Sequence, residues 1–153
     1  MSLSHEIAMA LRTAYWTLHR QADACLEPLG MTANQLVILS LLAERDGVTQ
    51  RELVARAASD ANTLRAMLVT LERKGLVVRE RHPADGRARL VTLTPKGRRT
   101  YRTLWARSEP VRSRLQAALR PDEAKRLLSL LGAITSSLVM QSQRAPRIGA
   151  RAP

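Results

Sequence analysis

Residues 60–97 read DANTLRAMLVTLERKGLVVRERHPADGRARLVTLTPKG, a helical pattern followed by an alternating one. In the helical part, apolar side chains recur three and four residues apart and form one stripe that must be buried. They are Leu64, Met67, Leu68 and Leu71. Ser59 or Asp60 is suited to cap the start of this helix, and Gly75 to end it in the left-handed conformation. We expect a helix of about 14 residues with an opposite, exposed face. That face carries Asn62, Arg65, Ala66, Val69 and Arg73, with Thr63 on its flank.

After the glycine the pattern predicts a β-hairpin. Residues 76–81 and 89–93 are rich in β-branched side chains, partly alternating, and they lie on either side of the turn signal at 83–86. Four arginines line the arms and the tip: Arg79, Arg81, Arg87 and Arg89. A solvated edge hairpin that uses charge to avoid aggregation is the alternative interpretation.

The positive charge of the chain is concentrated on this helix and hairpin. The net charge is +12, but residues 1–60 carry five basic and seven acidic side chains, whereas residues 61–107 carry 12 basic and three acidic ones. A focused positive field raises the local concentration of a polyanion, and each neutralised phosphate releases counterions. Double-stranded nucleic acid is therefore the expected partner. No aromatic-rich amphipathic segment suggests a membrane anchor.

The exposed face of the helix offers the side chains that read base edges. Short amides match adenine and arginine forks match guanine, so we expect Asn62, Thr63 and Arg65 to contact bases in the major groove. Arg73 and Arg89 are expected on phosphates.

These residues, in this order and spacing, resemble the MarR family of bacterial winged helix-turn-helix regulators. The matching motifs are Leu71-Glu72-Arg73-Lys74-Gly75-Leu76-Val77 after the reading helix, Asp85-Gly86-Arg87 in the wing, and Leu93-Thr94-Pro95-Lys96-Gly97 beyond it. The resemblance covers the chain to about residue 141. It implies that Arg87 enters the minor groove at a narrow, A·T-rich flank. The family often has an arginine where Gly86 stands, which removes one expected phosphate contact.

Another helix is expected immediately before the one that begins at Ser59 or Asp60. Thr49 and Glu52 fit a capping box that opens the segment GVTQRELVARAA, residues 47–58. Such a helix crosses the DNA backbone, so Thr49 and Gln50 are candidate phosphate contacts. A cap that serves stability alone is the competing interpretation.

Further helices flank this module. Thr32 and Gln35 fit another capping box, and the helix that follows is apolar nearly all round, which predicts a central, buried helix. Residues 4–28 carry an apolar stripe without an evident partner in the chain, which suggests a second chain. Downstream, Pro95 opens a segment that Pro110 should bend or relieve, and a last helix begins near Asp122.

The predicted fold is therefore mainly α with a small β-hairpin wing, a winged helix-turn-helix with long N- and C-terminal dimerisation helices. We assign residues 1–30 and 95–141 to helical dimerisation, 31–94 to DNA binding, and 142–153 to a basic tail expected to be disordered. In the resembled family such helices interlock in a homodimer. Two reading helices about one DNA turn apart imply a near-palindromic operator.

Composition excludes several other classes. There is no apolar run of membrane-spanning length and no signal peptide, and the single cysteine fits a reducing compartment, so we expect a cytoplasmic protein. No phosphate-binding loop is present, and three scattered histidines with one cysteine predict neither a metal site nor catalysis. We expect no enzyme activity and no cofactor.

The resemblance also implies a small, phenolic or aromatic anionic effector bound between the dimer helices and the DNA-binding lobe. Trp16, His19 and Arg20 offer stacking, a hydrogen bond and a countercharge there, with dimer packing as the alternative for Trp16 and solvation for Arg20. One branch of the family senses peroxide through a cysteine. Cys25 lies on the apolar stripe of the first helix, where packing is the favoured role.

The favoured function is a sequence-specific, double-stranded DNA-binding transcriptional regulator, with repression favoured over activation. Two rival functions stay open on sequence alone. A non-specific architectural protein would bind any duplex, and a protein-interaction module would use the basic face on an acidic partner. Neither rival explains the polar pair Asn62 and Thr63.

Overall fold

The computed structural model describes residues 2–144 and shows a mainly α-helical chain with one small antiparallel sheet. The expected fold class is confirmed. Residues 142–144, predicted as the start of a disordered basic tail, are helical, and the rest of that tail, 145–153, lies outside the described residues. The elements are α1 (Leu3–Leu26), a short 3₁₀ helix (Glu27–Leu29), α2 (Ala33–Glu44), β1 (Val48–Thr49), α3 (Gln50–Arg56), α4 (Ala61–Arg73), β2 (Val77–Arg81), β3 (Arg89–Leu93), α5 (Pro95–Arg107), α6 (Glu109–Ala117) and α7 (Pro121–Arg144).

Side-chain caps begin the helices of the DNA-binding lobe. Both predicted capping boxes form: Thr32 accepts from the amide of Gln35, and Thr49 from the amide of Glu52, while each partner side chain accepts from the cap amide. Asp60 caps α4 by accepting from the Thr63 amide, and Thr94 caps α5. Each cap satisfies amides that have no partner inside the helix. The residues around each cap therefore determine locally where the helix begins.

The core is aliphatic and lies around α2, as predicted. Ile38, Leu39 and Leu42 of α2 are fully buried. Leu26 at the end of α1 also lies in this core, as do side chains of α3, α4, α5 and the sheet. The stripe of α4 is buried at Leu64, Leu68 and Leu71, whereas Met67 is only partly buried at its edge. Burial of each leucine stabilises the lobe by about 1.5–3 kcal/mol relative to leaving it exposed.

The sheet contains a strand that the sequence did not predict. The strand order is β1-β3-β2, with Val48 opposite Val91 and Thr49 opposite Leu90. Residues 47–49 were expected to open a helix, but β1 precedes α3 because its backbone pairs with β3. The two wing strands pair from Val77 opposite Leu93 to Arg81 opposite Arg89, which confirms the hairpin.

Helices α3 and α4 end in the same way with different residues. In both, the residue after the C-cap is left-handed and the next amide bonds the carbonyl five residues back: Ser59 N to Val54 O, and Leu76 N to Leu71 O. Gly75 takes that conformation in α4 at φ +70°, but Ala58 takes it in α3 at φ +49°. Helix α3 therefore ends at Arg56, two residues before the end at residue 58 that the sequence predicted.

Replacing Ala58 by glycine should stabilise the protein. A side chain in the left-handed region costs about 1–2 kcal/mol, and the extra freedom of an unfolded glycine returns about 0.5–1 kcal/mol of that. We expect a net gain of about 0.5–1 kcal/mol in the free energy of unfolding, measured in urea. Ala55→Gly, at an exposed position inside α3, is the matched control and should lose stability. A lower free energy of unfolding for Ala58→Gly than for the wild type would contradict the strain at this turn.

The chain divides into two compact units, one ending at Val111 and one beginning at Arg112. In the first unit, α1 ends at Leu26 and the 3₁₀ helix completes the segment predicted as one helix. The segment beyond Pro95 is broken rather than bent, because α5 ends at Arg107 and Pro110 lies in the first turn of α6. Both α1 and α7 expose apolar side chains, among them Ile7, Tyr15 and Trp16 on α1 and Leu128, Leu130 and Leu138 on α7.

No single helix within 2–144 is long and apolar enough to cross a membrane. The segments Leu3–Leu29 and Ala33–Glu44 reach the necessary hydropathy only together, across an 86° bend.

Candidate DNA interface

The exposed face of α4 presents the predicted base-reading residues. Asn62, Thr63 and Arg65 are all exposed at the start of the helix. The hydroxyl of Thr63 donates to Asp60 Oδ2 (2.6 Å) and its amide donates to Asp60 Oδ1 (2.9 Å), and these bonds lower the pKa of Asp60. The donor of Thr63 is therefore already used by the cap, which leaves its oxygen as an acceptor and its methyl group for contact.

A cleft between α4, the start of α3 and the wing brings several predicted residues together. Its volume is about 490 Å³, and Gln50, Arg65, Val69 and Arg89 are among its lining residues. These side chains come from three elements that are distant in sequence. Their convergence supports one surface facing a polyanion, because they form a shared, partly enclosed positive site.

An ion pair that sequence reasoning missed crosses this cleft. Arg79 donates to Glu72 Oε2 through Nε (3.1 Å) and Nη2 (2.6 Å), joining β2 to the end of α4. The two side chains are 22% and 39% exposed. Hydrogen bonding by Arg79 lowers the pKa of Glu72. Arg79 thus holds the wing against the helix, unlike the other three wing arginines, which are exposed. The sequence did contain a signal for this pair: an acidic residue near the end of a helix, followed by an arginine on the next strand.

Removing Glu72 tests whether this pair positions the wing. If only net charge mattered, Glu72→Ala would bind DNA more tightly, because the substitution removes a negative charge from a positively charged surface. We expect the opposite, a loss of about three- to tenfold in affinity, since the freed wing must be ordered on binding. Glu80→Ala removes the same charge from an exposed position on the same wing and should bind equally or more tightly in a fluorescence anisotropy titration. Equal changes in the DNA affinity of Glu72→Ala and Glu80→Ala would contradict the positioning role.

The same pair gives the wing a pH dependence with a definite sign. The pKa of Glu72 is lowered in the folded protein, so its stabilising contribution is present above the ordinary value of 4.5 and is lost as the pH falls through the folded value. The exposure of both partners keeps that contribution small.

The wing tip is organised by its own polar groups. Asp85 Oδ1 accepts from the Arg87 amide (3.0 Å), Asp85 O accepts from the Ala88 amide (3.0 Å), and His82 Nδ1 accepts from the Ala84 amide (3.0 Å). The Arg87 side chain is exposed at this tip. Behind it, Arg81 lies directly opposite Arg89. Like charges at opposed positions destabilise a hairpin, a cost that an intervening phosphate would relieve.

The remaining predicted contacts differ in their availability. Thr49 Oγ1 donates to Glu52 Oε2 (2.9 Å) and accepts from the Glu52 amide, which supports the structural interpretation of this cap. The amide and hydroxyl of Thr49 lower the pKa of Glu52. Gln50 reaches the cleft, and Arg73 is exposed two turns beyond Arg65 on α4.

The predicted effector residues lie on α1. The rings of Trp16 and His19 meet edge to face at 5.5 Å, and His19 Nε2 lies 3.2 Å from Asp23 Oδ2. Asp23 Oδ1 accepts from the Ala33 amide at the start of α2 (2.7 Å). Arg20 is exposed and Cys25 is half-buried.

A nearby cavity of about 140 Å³ is lined by neighbours of these residues rather than by the three predicted side chains. Tyr15 of α1 reaches it, together with Val37 of α2, Ala58 at the turn and Thr63 of α4. A residue expected to read DNA therefore also borders the cavity next to the first helix.

Among residues 2–144, no group of three or more His, Cys, Asp or Glu side chains is arranged to hold a metal ion.

Comparison with known proteins agrees with this geometry. The model of the MarR family matches residues 29–88. An HTH-type transcriptional repressor of Mycobacterium tuberculosis is 33% identical over 119 residues, covering 75% of this chain and 85% of that protein. The solved structure of the transcriptional repressor CouR bound to a 23-mer DNA duplex is 32% identical with a TM-score of 0.76, covering 87% of this chain and 94% of that one; CouR comes from Rhodococcus jostii RHA1.

BpsR of Bordetella bronchiseptica, whose DNA binding is described as regulated by 6-hydroxynicotinic acid, is 27% identical with a TM-score of 0.77. The match covers 88% of this chain and 96% of that one. The fold and the site thus define a winged helix-turn-helix transcriptional regulator. The chain belongs to the MarR family, and it is a DNA-binding protein of that family.

Proposed function

We propose that the protein is a homodimeric repressor that binds a near-palindromic operator in double-stranded DNA. The observation that carries this proposal is the cleft in which Gln50, Arg65 and Arg89 converge beside the exposed Asn62. A repressor is favoured because the relatives from M. tuberculosis and R. jostii are described as repressors, the latter on a DNA duplex.

The proposed contacts are of three kinds. Asn62, Thr63 and Arg65 read base edges in the major groove, since they lead the exposed face of α4. The phosphate contacts are Arg73, Arg89 and Gln50, whereas Thr49, predicted as a fourth, is occupied by its cap with Glu52. Arg87 enters the adjacent minor groove from the wing tip, where its side chain projects beyond the ordered turn.

Selection of bound fragments from random duplex DNA tests the function directly. We expect enrichment of two related half-sites whose centres lie about one helical turn apart. Binding without enrichment would show an architectural protein, and no binding to duplex would show a protein-interaction module. Either result would contradict the proposal.

Arg87→Ala should weaken binding to the selected site and flatten its salt dependence. The substitution removes one cationic contact with DNA from each wing. Each lost contact reduces the slope of log affinity against log salt by about one. Affinity measured between 50 and 200 mM salt, about the range over which such contacts dominate, gives this slope. Arg12→Ala, an exposed arginine on α1, is the matched control. An unchanged slope in Arg87→Ala would reject the wing role.

Dimerisation is assigned to residues 1–30 and 95–141, with 31–94 as the DNA-binding region. The exposed apolar side chains of α1 and α7 support this division, because such stripes are normally covered. The protein is further proposed to act in the cytoplasm and to catalyse no reaction. No cofactor is required by these contacts.

A small aromatic acid is proposed as effector, bound near Trp16, His19 and Arg20. The exposed Trp16 ring is available for stacking, the exposed arginine supplies a countercharge, and BpsR is described as regulated by 6-hydroxynicotinic acid. To release DNA, the ligand must bind one dimer conformation better than the other.

A further inference from the structure

Two aspartates in the chain are followed directly by glycine: Asp46-Gly47, between α2 and β1, and Asp85-Gly86, at the wing tip. An aspartate carboxyl group can condense with the backbone amide of the next residue. Glycine favours this reaction, because it has no side chain to crowd the attacking nitrogen and its backbone reaches more conformations. The two pairs therefore share one chemistry, and only their surroundings distinguish them.

Asp46 is held from several sides. Its carboxylate forms an ion pair with Arg98 of α5. The connection between α2 and β1 contains only residues 45–47, and Gly47 takes the left-handed conformation at φ +66°. The next residue, Val48, is buried and paired with β3. Condensation at Asp46 therefore requires the ion pair to break and a short, anchored segment to move.

Asp85 lies in the middle of the longer connection 82–88, and both it and Gly86 are exposed. Within the described part of the chain, Asp85 forms no ion pair. The hydrogen bonds of the turn use the amides of Arg87 and Ala88 rather than that of Gly86. The bond from the Arg87 amide to Asp85 Oδ1 (3.0 Å) folds the carboxylate over the Gly86 peptide, because the oxygen must reach two residues on. An added Cβ atom at Gly86 would meet nothing within 4 Å, so the space around the reacting amide is open.

The reaction is a dehydration followed by a hydrolysis. The Gly86 nitrogen bonds to Asp85 Cγ, and the hydroxyl group of the carboxylic acid leaves with the amide proton as water. The product is a five-membered succinimide ring. Water then adds to one of the two ring carbonyl carbons, and the bond from that carbon to nitrogen breaks. Addition at the main-chain carbon yields isoaspartate, in which the backbone runs through the former side chain.

Isoaspartate at residue 85 would exchange the two acceptors that organise the wing tip. The former side-chain oxygen becomes the main-chain carbonyl oxygen, the former main-chain carbonyl becomes a free carboxylate, and one methylene group enters the backbone. The hydrogen bonds from the amides of Arg87 and Ala88 depend on the present positions of these oxygens. Arg87 would therefore leave the position in which the turn holds it.

We propose that Asp85-Gly86 is a site of spontaneous isoaspartate formation that weakens DNA binding by the wing, and that the ion pair with Arg98 protects Asp46-Gly47 from the same reaction. The weakening rests on the proposed function, but the modification does not.

The full-length protein is incubated at neutral pH without DNA and digested with trypsin, which releases peptides 82–87 and 46–51. Isoaspartate gives either peptide a second chromatographic peak of the same mass, which electron-transfer fragmentation identifies. A sample digested without incubation corrects for reaction during the digestion. We expect isoaspartate to form at least about fivefold faster in 82–87 than in 46–51, because an exposed ion pair alone slows the reaction by up to about that factor. Equal rates, or no isoaspartate in 82–87, would overturn the site.

Two variants at the wing tip test the chemistry in opposite directions. Gly86→Ala should slow the reaction in 82–87 several-fold, because a methyl group crowds the attacking nitrogen while meeting no neighbour in the folded protein. Asp85→Asn keeps the Oδ1 acceptor and should react faster than the wild type, since the side-chain amide loses ammonia at neutral pH more readily than the carboxyl group loses water. An unaltered rate in either variant would overturn the proposed reaction.

Arg98→Ala tests the protection of Asp46. It should raise the rate in 46–51 several-fold and leave the rate in 82–87 unchanged. Arg99→Ala removes the same charge from an exposed, adjacent position of α5 and should change neither rate. Circular dichroism checks the fold of every variant. An unchanged rate in 46–51 of Arg98→Ala, or an equal rise in Arg99→Ala, would overturn the protection by the ion pair.

The effect on the wing is measured with the selected operator. Incubated wild-type protein in which most copies carry isoaspartate at residue 85 should lose affinity toward that of Arg87→Ala. Gly86→Ala incubated for the same time should keep the affinity of its fresh sample. Full affinity of the converted wild type would overturn the weakening. Failure of fresh wild-type protein to bind DNA would instead overturn the proposed function, because the peptide analysis does not depend on DNA.

Discussion

Replacing Gly97 by alanine should destabilise the protein by about 3 kcal/mol, since an added methyl group has no room. A Cβ atom at this position would overlap the backbone carbonyl oxygen of Leu76 and lie 2.9 Å from its carbon and 3.2 Å from Leu93 Cδ2. Neither backbone group is a flexible side-chain end that moves aside at low cost. The first turn of α5 would have to lift away from the base of the wing.

The displacement should also disrupt the cap of α5. The Gly97 amide donates to Thr94 Oγ1 (2.9 Å), and Leu76 O also accepts from the Thr94 amide (3.1 Å). The lost stability is measured by urea unfolding. Gly86→Ala is the control: nothing lies within 4 Å of its added Cβ, and Gly86 does not have a positive φ. We expect a change within about 0.5 kcal/mol for it. Equal stability of the two variants would show that α5 approaches the wing less closely than described.

Arg65→Ala should relax the choice of one base position in each half-site. An arginine that forks onto a guanine edge contributes about 1–3 kcal/mol of discrimination against other bases, and a dimer makes the contact twice. Arg65 is suited to this contact because it is exposed on the first turns of α4 and borders the cleft.

The measurement compares the affinity of Arg65→Ala for the operator, for single-position operator variants and for random duplex. The preference at one position should disappear while the others persist. Arg51→Ala removes the same charge from an exposed position of α3 outside the cleft and should keep every preference. An equal loss on operator and random duplex would make Arg65 a phosphate contact.

Local signals predicted most of the fold. The apolar stripe of α4, the capping boxes at Thr32 and Thr49, and the glycine after α4 each involve residues within one or two turns, so they are legible in sequence. Even the motif around Gly97 was recognised, although its reason, the nearness of the Leu76 carbonyl, required the structure.

Some of the features that the sequence did not predict depend on long-range contacts, and others are local. β1 exists because two residues pair with a strand about 40 positions away. The turn at Ala58 uses a non-glycine residue where glycine is the usual signal. Arg79 was grouped with the other wing arginines, although its partner Glu72 lies only seven residues earlier, at the end of the preceding helix. The clustering of Gln50, Arg65 and Arg89 depends on how three elements pack.

Strand β3 is hydrogen-bonded to β1 on one side and to β2 on the other. The residues that open α3 and both arms of the wing are therefore joined by one continuous backbone ladder. Stretching or shortening the span from Gln50 to the wing would break several of its bonds at once. The distance between the start of α3 and the wing is thus held by backbone hydrogen bonds within one subunit, and we expect every operator of this protein to have half-sites of the same length.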